Sequence, residues 1–144
     1  MGKFLIVDAH SIIFAWPEMR ALHSRRMVLA RDALIKKLTA YQDTSDYRVV
    51  AVFDGQGSRP TEVSEPGGIQ VFYSAQGQTA DSIIERLVAK YAGIHEITVV
   101  TNDRLEQDTA AAFGGTCISP EIFRMMMEEA EAEFQRALKK RRRE

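Results

Sequence analysis

The sequence predicts an α/β protein, a three-layer, doubly wound α/β/α sandwich whose mostly parallel sheet has about five strands. Short apolar runs rich in β-branched residues alternate with segments of helical periodicity, which is typical of strand–helix–strand units. These runs are continuous rather than alternating, which indicates strands covered on both faces. With 144 residues and neither an internal repeat nor a linker, residues 1–144 are expected to form a single domain.

Five segments are predicted as strands because each is short, apolar and flanked by polar residues or glycine. The longest connection without helical periodicity is the Gly/Pro/Ser-rich stretch 55–68, which is predicted to be a loop. In chain order, the predicted strands are 3–8, 47–54, 69–74, 96–101 and 116–119.

Four helices are predicted from apolar residues at helical spacing. The last begins after Ser119 and Pro120, an N-cap residue followed by the residue that favours the first turn. Its end is the basic tail 139–143, which suits a helix C-terminus; an RNA-binding arm is the alternative. One face of the first helix carries Met27, Ala30, Leu34, Leu38 and Tyr41. The helices are expected at about 19–43, 80–92, 104–113 and from 120 onward.

Composition and charge exclude several classes of protein. The formal net charge is −1, so the chain lacks the overall basic field of a general nucleic-acid coat. The single cysteine, Cys117, excludes an internal disulfide and a cysteine-based zinc site. The apolar run 4–7 is too short for a signal peptide, and no stretch approaches the ~20 apolar residues of a membrane span. A cytoplasmic protein is therefore expected.

Aspartates follow the predicted strands at the edge where open parallel sheets bind ligands. Asp8 ends the first strand, Asp54 ends the second, Asp103 follows the fourth, and Asp81 lies in the first turn of the helix after the third. Two unit charges ~4 Å apart repel by about 4 kcal/mol at an effective dielectric constant of 20. Four converging carboxylates therefore require a cation, and their hard oxygen atoms favour Mg²⁺ or Mn²⁺.

Each aspartate also has a structural interpretation when it is taken singly. Asp54 and the glycine after it form a common turn dipeptide. Asp103 with Glu106 three residues later resembles a capping box. Asp81 suits the first turn of a helix, which Thr79 is able to cap. The convergence of all four carboxylates, rather than any one of them, is what favours a metal site.

A carboxylate-bound Mg²⁺ typically activates a water molecule and stabilises a leaving oxygen, which points to phosphate chemistry. No phosphate-binding GxxxxGK[ST] loop and no nucleophile elbow are present. Cations from loops, Arg59 and Arg104 among them, are candidates for positioning a phosphate, with a solvated surface role as the alternative. His10 lies near Asp8 and is a candidate substrate contact; a hydrogen-bonded structural histidine is the alternative.

Four motifs in this order resemble the PIN-like nuclease superfamily, and more narrowly its NYN domain and the YacP-like family. They are "IVDAHSIIFAWPEMR", "VVAVFDG", "GQTADSIIERLV" and "VVTNDRLEQDTAAAFGG", which together extend over most of the chain. The resemblance implies a Rossmann-like, PIN-like fold and metal-dependent cleavage of RNA. It also implies an acidic metal pocket formed by Asp8, Asp54, Asp81 and Asp103.

The same resemblance assigns residues around that pocket. Thr101 and Asn102 are expected to line it. The motif "AWP" places Trp16 in a loop above it, where the indole is able to stack an unpaired base; a packing role is the alternative. Ser11 stands where the subfamily usually has asparagine, because this chain reads D-A-H-S in place of D-G-Y-N.

The sequence thus predicts an endoribonuclease that uses Mg²⁺ or Mn²⁺ to hydrolyse phosphodiester bonds of RNA. A catalytically weak RNA-binding module of the same family is one alternative. A small-molecule phosphatase is a less favoured one, because the second aspartate of the D-x-D motif typical of acyl-phosphate phosphatases is replaced by His10.

Overall fold

The computed structural model describes residues 2–55, 61–64, 68–75 and 79–143. Within these ranges it contains six strands and six helices. In chain order they are β1 (Lys3–Asp8), α1 (Ala9–Ala15), α2 (Pro17–Arg25), α3 (Met27–Thr44), β2 (Arg48–Phe53), β3 (Thr61–Ser64), β4 (Gln70–Tyr73), α4 (Ala80–Tyr91), β5 (Glu96–Val100), α5 (Arg104–Ala112), β6 (Thr116–Ile118) and α6 (Pro120–Arg143).

The strands form one sheet in the order β3-β4-β2-β1-β5-β6. Five of them run parallel, and β3 pairs antiparallel with β4 at the edge. The chain first builds outward from β1 to β2 and β4, and then returns to the other side of β1 for β5 and β6. The strand order therefore reverses beside β1, and the predicted α/β/α fold class is confirmed.

Two helical layers cover the sheet, as the continuous apolar strands predicted. Leu5 and Val7 of β1 belong to the apolar cluster that packs against α1, α2, α3 and α6. Ile6 belongs to the opposite cluster, with α4 and α5. Because successive side chains of a strand alternate between faces, Asp8 follows Ile6 onto the α4/α5 side. This alternation decides which helices the Asp8 carboxylate meets.

Three features differ from the sequence-based prediction, and the first is that α1 (Ala9–Ala15) is a helix where none was expected. The prediction of a single helix at about 19–43 is wrong, because this segment forms two helices, α2 and α3. They are separated at Arg26, whose backbone is extended (φ −158°, ψ 132°). Met27, expected on the buried face, begins α3 beside this break and is 55% exposed. The strand β3 lies within the predicted loop 55–68. Its sequence, TEVS, contains one apolar residue, so a search for apolar runs does not detect this strand.

The first half of α6 packs against α1, α2 and α3, with Phe123 fully buried. Phe134, in the second half of the helix, is 44% exposed. The helix continues to Arg143, so the basic residues do occupy a helix end. Within the described ranges, no helix combines the length and the apolar character that crossing a membrane requires.

Trp16 is a core residue, and this corrects the expectation that it stacks a base. Its indole is 3% exposed, and Nε1–H donates to the carbonyl oxygen of Pro120 at 3.2 Å. The ring packs against Phe123, and the Arg124 guanidinium covers it. Trp16 therefore anchors the start of α6 to the junction between α1 and α2, and the packing alternative is the correct one.

We expect Trp16→Phe to lower the free energy of unfolding by about 1–2 kcal/mol, because a buried hydrogen bond and part of an aromatic ring are lost. Urea denaturation measures this change. Phe134→Leu is the control, since substitution of an exposed side chain of α6 should alter stability by less than about 0.5 kcal/mol. A Trp16→Phe variant as stable as the control would contradict the anchoring role.

Candidate functional site

A cavity of about 450 Å³ opens at the carboxyl ends of the central strands. All four predicted aspartates contribute to its wall, so the structure brings them to one place, as the topology predicted. The lining residues are Asp8, His10, Ser11, Phe14, Ala15, Asp54, Thr79, Ala80, Asp81, Asn102 and Asp103.

Asp8 ends the central strand and is 4% exposed. Its Oδ2 accepts hydrogen bonds from Ser11 Oγ at 2.8 Å and from Thr101 Oγ1 at 3.1 Å. Its Oδ1 is buried and has no hydrogen-bond donor among the described residues. The carboxylate is therefore held in one orientation by Oδ2, while the other oxygen stays available for a ligand.

Ser11 and Thr101 join α1 to the loop between β5 and α5. The backbone N–H of Asn102 donates to Ser11 Oγ at 3.1 Å, and that of Asp103 donates to Thr101 Oγ1 at 2.9 Å. Each hydroxyl has one proton, which it gives to Asp8, so both are left as acceptors for the loop. Thr101 is fully buried and thus positions Asp8 rather than meeting a substrate.

Asp54 and Asp103 stabilise helix N-termini as well as lining the cavity. Asp54 Oδ1 accepts from the backbone N–H of Ala80 at 2.9 Å, a cap that the sequence assigned to Thr79. Asp103 Oδ1 accepts from the backbone N–H groups of Leu105 at 2.8 Å and Glu106 at 3.4 Å, which confirms its capping role. Among the described residues, both aspartates form these capping bonds through Oδ1.

Glu106 is the site residue that the sequence analysis missed. As part of a capping box it was expected to bond the backbone N–H of Asp103, which instead donates to Thr101. Glu106 is 1% exposed and lies on the buried face of α5 together with Ala110, one turn later. The four-residue spacing between Glu106 and Ala110, which places both on one face of α5, was the sequence signal that Glu106 is buried. Its carboxyl group meets those of Asp8 and Asp81, with one oxygen from each within 4.8 Å of the others.

The environment of Glu106 disfavours its charged form. Burial, with contributions from the carboxylates of Asp81 and Asp8, raises the pKa of Glu106 from 4.5 to about 11. Without a cation the group is therefore protonated at neutral pH. Neither of its carboxyl oxygens has a hydrogen-bond donor among the described residues. The unpaired buried oxygens of Asp8 and Glu106, together with the nearby half-buried Asp81 carboxyl, fit a hard divalent cation, which would favour the ionised form of Glu106.

Of the remaining residues predicted to contact substrate, some line the cavity and others do not. Asn102 and His10 are exposed and line the cavity. Arg104 is exposed at the start of α5, next to Asp103, but does not line the cavity. Arg59 lies outside the described residues. The substrate roles of these side chains, and the metal roles of the aspartates, stay predictions.

The comparisons with known sequences and with solved structures point to the same protein family. The sequence model described as "YacP-like NYN domain" matches residues 5–144. A Bacillus subtilis (strain 168) protein named "Uncharacterized protein YacP" is 34% identical over 105 residues, which is 72% of this chain and 62% of that relative. The aligned part is thus less than two thirds of the relative's length.

Two solved structures resemble the whole described fold. A crystal structure of a mutant of Rae1 (YacP) from Bacillus subtilis has a TM-score of 0.81 and 30% sequence identity, and covers 98% of this chain and 84% of that chain. A second crystal structure, of Rae1 (YacP) from Bacillus subtilis, has a TM-score of 0.78 and 30% sequence identity. The match covers 95% of this chain and 80% of that chain.

Proposed function

This chain belongs to the YacP-like NYN domain family, a nuclease-type family, and we propose that it is a metal-dependent endoribonuclease. The observation that carries the proposal is the group formed by Asp8, Asp81 and Glu106. One oxygen of each carboxyl lies within 4.8 Å of the others, and the buried oxygens of Asp8 and Glu106 lack donors among the described residues. Without a cation, burial beside Asp8 and Asp81 keeps the Glu106 carboxyl protonated, and a bound divalent cation would favour ionisation of all three carboxyl groups.

In the proposed site, Asp8, Asp81 and Glu106 hold Mg²⁺ or Mn²⁺. Asp54 and Asp103 are proposed as additional ligands, directly or through water, by means of the oxygen that does not cap a helix. When bound, such an ion activates a water molecule for attack on a phosphodiester and stabilises the leaving oxygen. RNA is the proposed substrate.

The protein's own residues prepare this chemistry. Ser11 and Thr101 hold Oδ2 of Asp8, so its free Oδ1 needs no reorientation when a ligand arrives. The Asn102 side chain at the cavity wall is proposed to contact the substrate backbone, and Arg104 is proposed to bind a phosphate near the start of α5. Arg59 is proposed for the same purpose on the strength of its sequence position alone.

The direct test is incubation of a mixed RNA pool with the protein in Mg²⁺, in Mn²⁺ and in chelator. We expect internal cleavage with either ion, none with chelator, and recovery when the metal is added back. RNA binding without cleavage in any of these conditions would favour the RNA-binding module instead. Turnover of simple phosphomonoesters with intact RNA would favour the phosphatase.

A further inference from the structure

Phe14 is an exposed aromatic residue of α1, a helix whose aliphatic side chains Ile12 and Ile13 are buried. Its neighbours Ile12 and Ile13 are 0% and 6% exposed, whereas Phe14 is 42% exposed. It lines the same cavity as Asp8 and Asp81. The exposed part of this ring contributes nothing to folding, since the hydrophobic contribution depends on the area removed from water.

Two histidines hold the Phe14 ring in place. The His10 ring lies 4.5 Å from it, centroid to centroid, at a tilt of 42°. The His23 ring from α2 meets it edge-on at 5.0 Å. Such contacts restrict the rotation of the ring, so little conformational entropy remains to be lost when a ligand binds. His10 is exposed and lines the cavity beside Phe14.

Exposure alone does not distinguish Phe14. Phe113, at the far end of α5, is 51% exposed, but it does not line the cavity. Phe14 differs because its ring is held between two others and shares a cavity with the carboxylate cluster. A ligand of the cavity that carries both a phosphate and a flat aromatic group would engage both features.

We propose that Phe14, supported by His10, stacks an unpaired nucleobase of the substrate next to the acidic site. The inference rests on the proposed function and adds the residue that holds the base. Every base offers a π-face, whereas the bases of a duplex are already stacked on one another and are not available to a protein side chain. Stacking on Phe14 therefore selects an unpaired strand without selecting its sequence.

The test uses a short single-stranded RNA that contains 2-aminopurine, a base whose fluorescence is quenched by stacking. Binding is titrated in chelator, where the proposed cleavage is off, with wild type, Phe14→Ala, Phe14→Trp and the control Phe113→Ala. We expect Phe14→Ala to weaken binding about 5- to 150-fold, the range that stacking of one base corresponds to, and to abolish quenching. Phe14→Trp should retain both, and Phe113→Ala should match wild type.

Duplex RNA of the same sequence should bind more weakly, and its affinity should not respond to Phe14→Ala. Wild-type affinity and quenching in Phe14→Ala, or equal binding of duplex and single strand by wild type, would overturn the stacking role. If Mn²⁺-dependent cleavage persists in that case, the proposed function stands. If wild type quenches the probe but never cleaves RNA, stacking is upheld and the endoribonuclease proposal fails.

Discussion

Replacing Asp81 by asparagine is expected to lower metal-dependent RNA cleavage at least about 100-fold, because the loss of one charged ligand removes several kcal/mol of transition-state stabilisation. Asp81 is the most informative position of the cluster. Asp8 is bonded to Ser11 and Thr101, and its replacement would disturb the β5–α5 loop as well. Asp81 is half-buried in the first turn of α4, and asparagine has the same shape.

Thermal melts of the same variant separate a metal ligand from a structural residue. In chelator, Asp81→Asn should be at least as stable as wild type, because repulsion among the carboxylates falls. In Mn²⁺, wild type should gain stability as RT ln(1 + [L]/Kd), and the variant should lose much of that gain. Equal metal-induced shifts together with equal cleavage rates would rule out Asp81 as a ligand.

Asp103→Asn is the matched comparison, because asparagine caps a helix about as well as aspartate. If Asp103 only caps α5, the variant should cleave RNA and respond to metal like wild type. If it is an additional ligand, it should lose activity in the same way as Asp81→Asn. Asp108→Asn, an exposed change on α5, controls for the loss of a negative charge.

Replacing Glu106 by glutamine is expected to stabilise the metal-free protein by an amount that increases with pH. Glutamine imitates the protonated carboxyl in size and cannot ionise. Because the pKa of Glu106 is raised from 4.5 to about 11 in the folded state, the unfolded chain releases a proton above pH 4.5 that the folded protein retains. Wild type therefore loses stability as the pH rises above 4.5, whereas the glutamine variant lacks this contribution.

The expected size follows from proton linkage, at about 1.4 kcal/mol per pH unit. Between pH 5 and pH 8 in chelator, the stability difference between Glu106→Gln and wild type should grow by up to about 4 kcal/mol. Urea denaturation at several pH values measures it. Glu121→Gln is the control, because Glu121 also lies in a first helical turn but is exposed.

Metal should reduce the stability advantage of Glu106→Gln over wild type. Mn²⁺ favours the ionised carboxyl, so wild type should gain more from the ion than Glu106→Gln does. A stability difference independent of pH, or equal stabilisation of both proteins by Mn²⁺, would show that Glu106 neither carries a raised pKa nor binds the ion.

The sequence by itself determined the parallel strands of the sheet and the edge at which the aspartates meet. The apolar strands, the helix after Ser119 and the aspartates at strand ends are local patterns, and parallel pairing brings strand ends to one edge whatever the details of packing. For this reason the positions of Asp8, Asp54, Asp81 and Asp103 around one cavity were predictable. The family motifs were readable for the same reason, since each lies at the end of a strand or the start of a helix.

Only the tertiary structure decided which side chains the packing buries. Glu106 has the local signature of a capping residue, and Trp16 that of a loop residue. The burial of both depends on contacts with elements distant in sequence: α5 against Asp8 and Asp81, and Trp16 against α6. The break at Arg26 and the pairing of β3 with β4 likewise leave no trace in the apolar periodicity. Local patterns state what a residue is able to do, and long-range packing selects among those possibilities by removing particular groups from water.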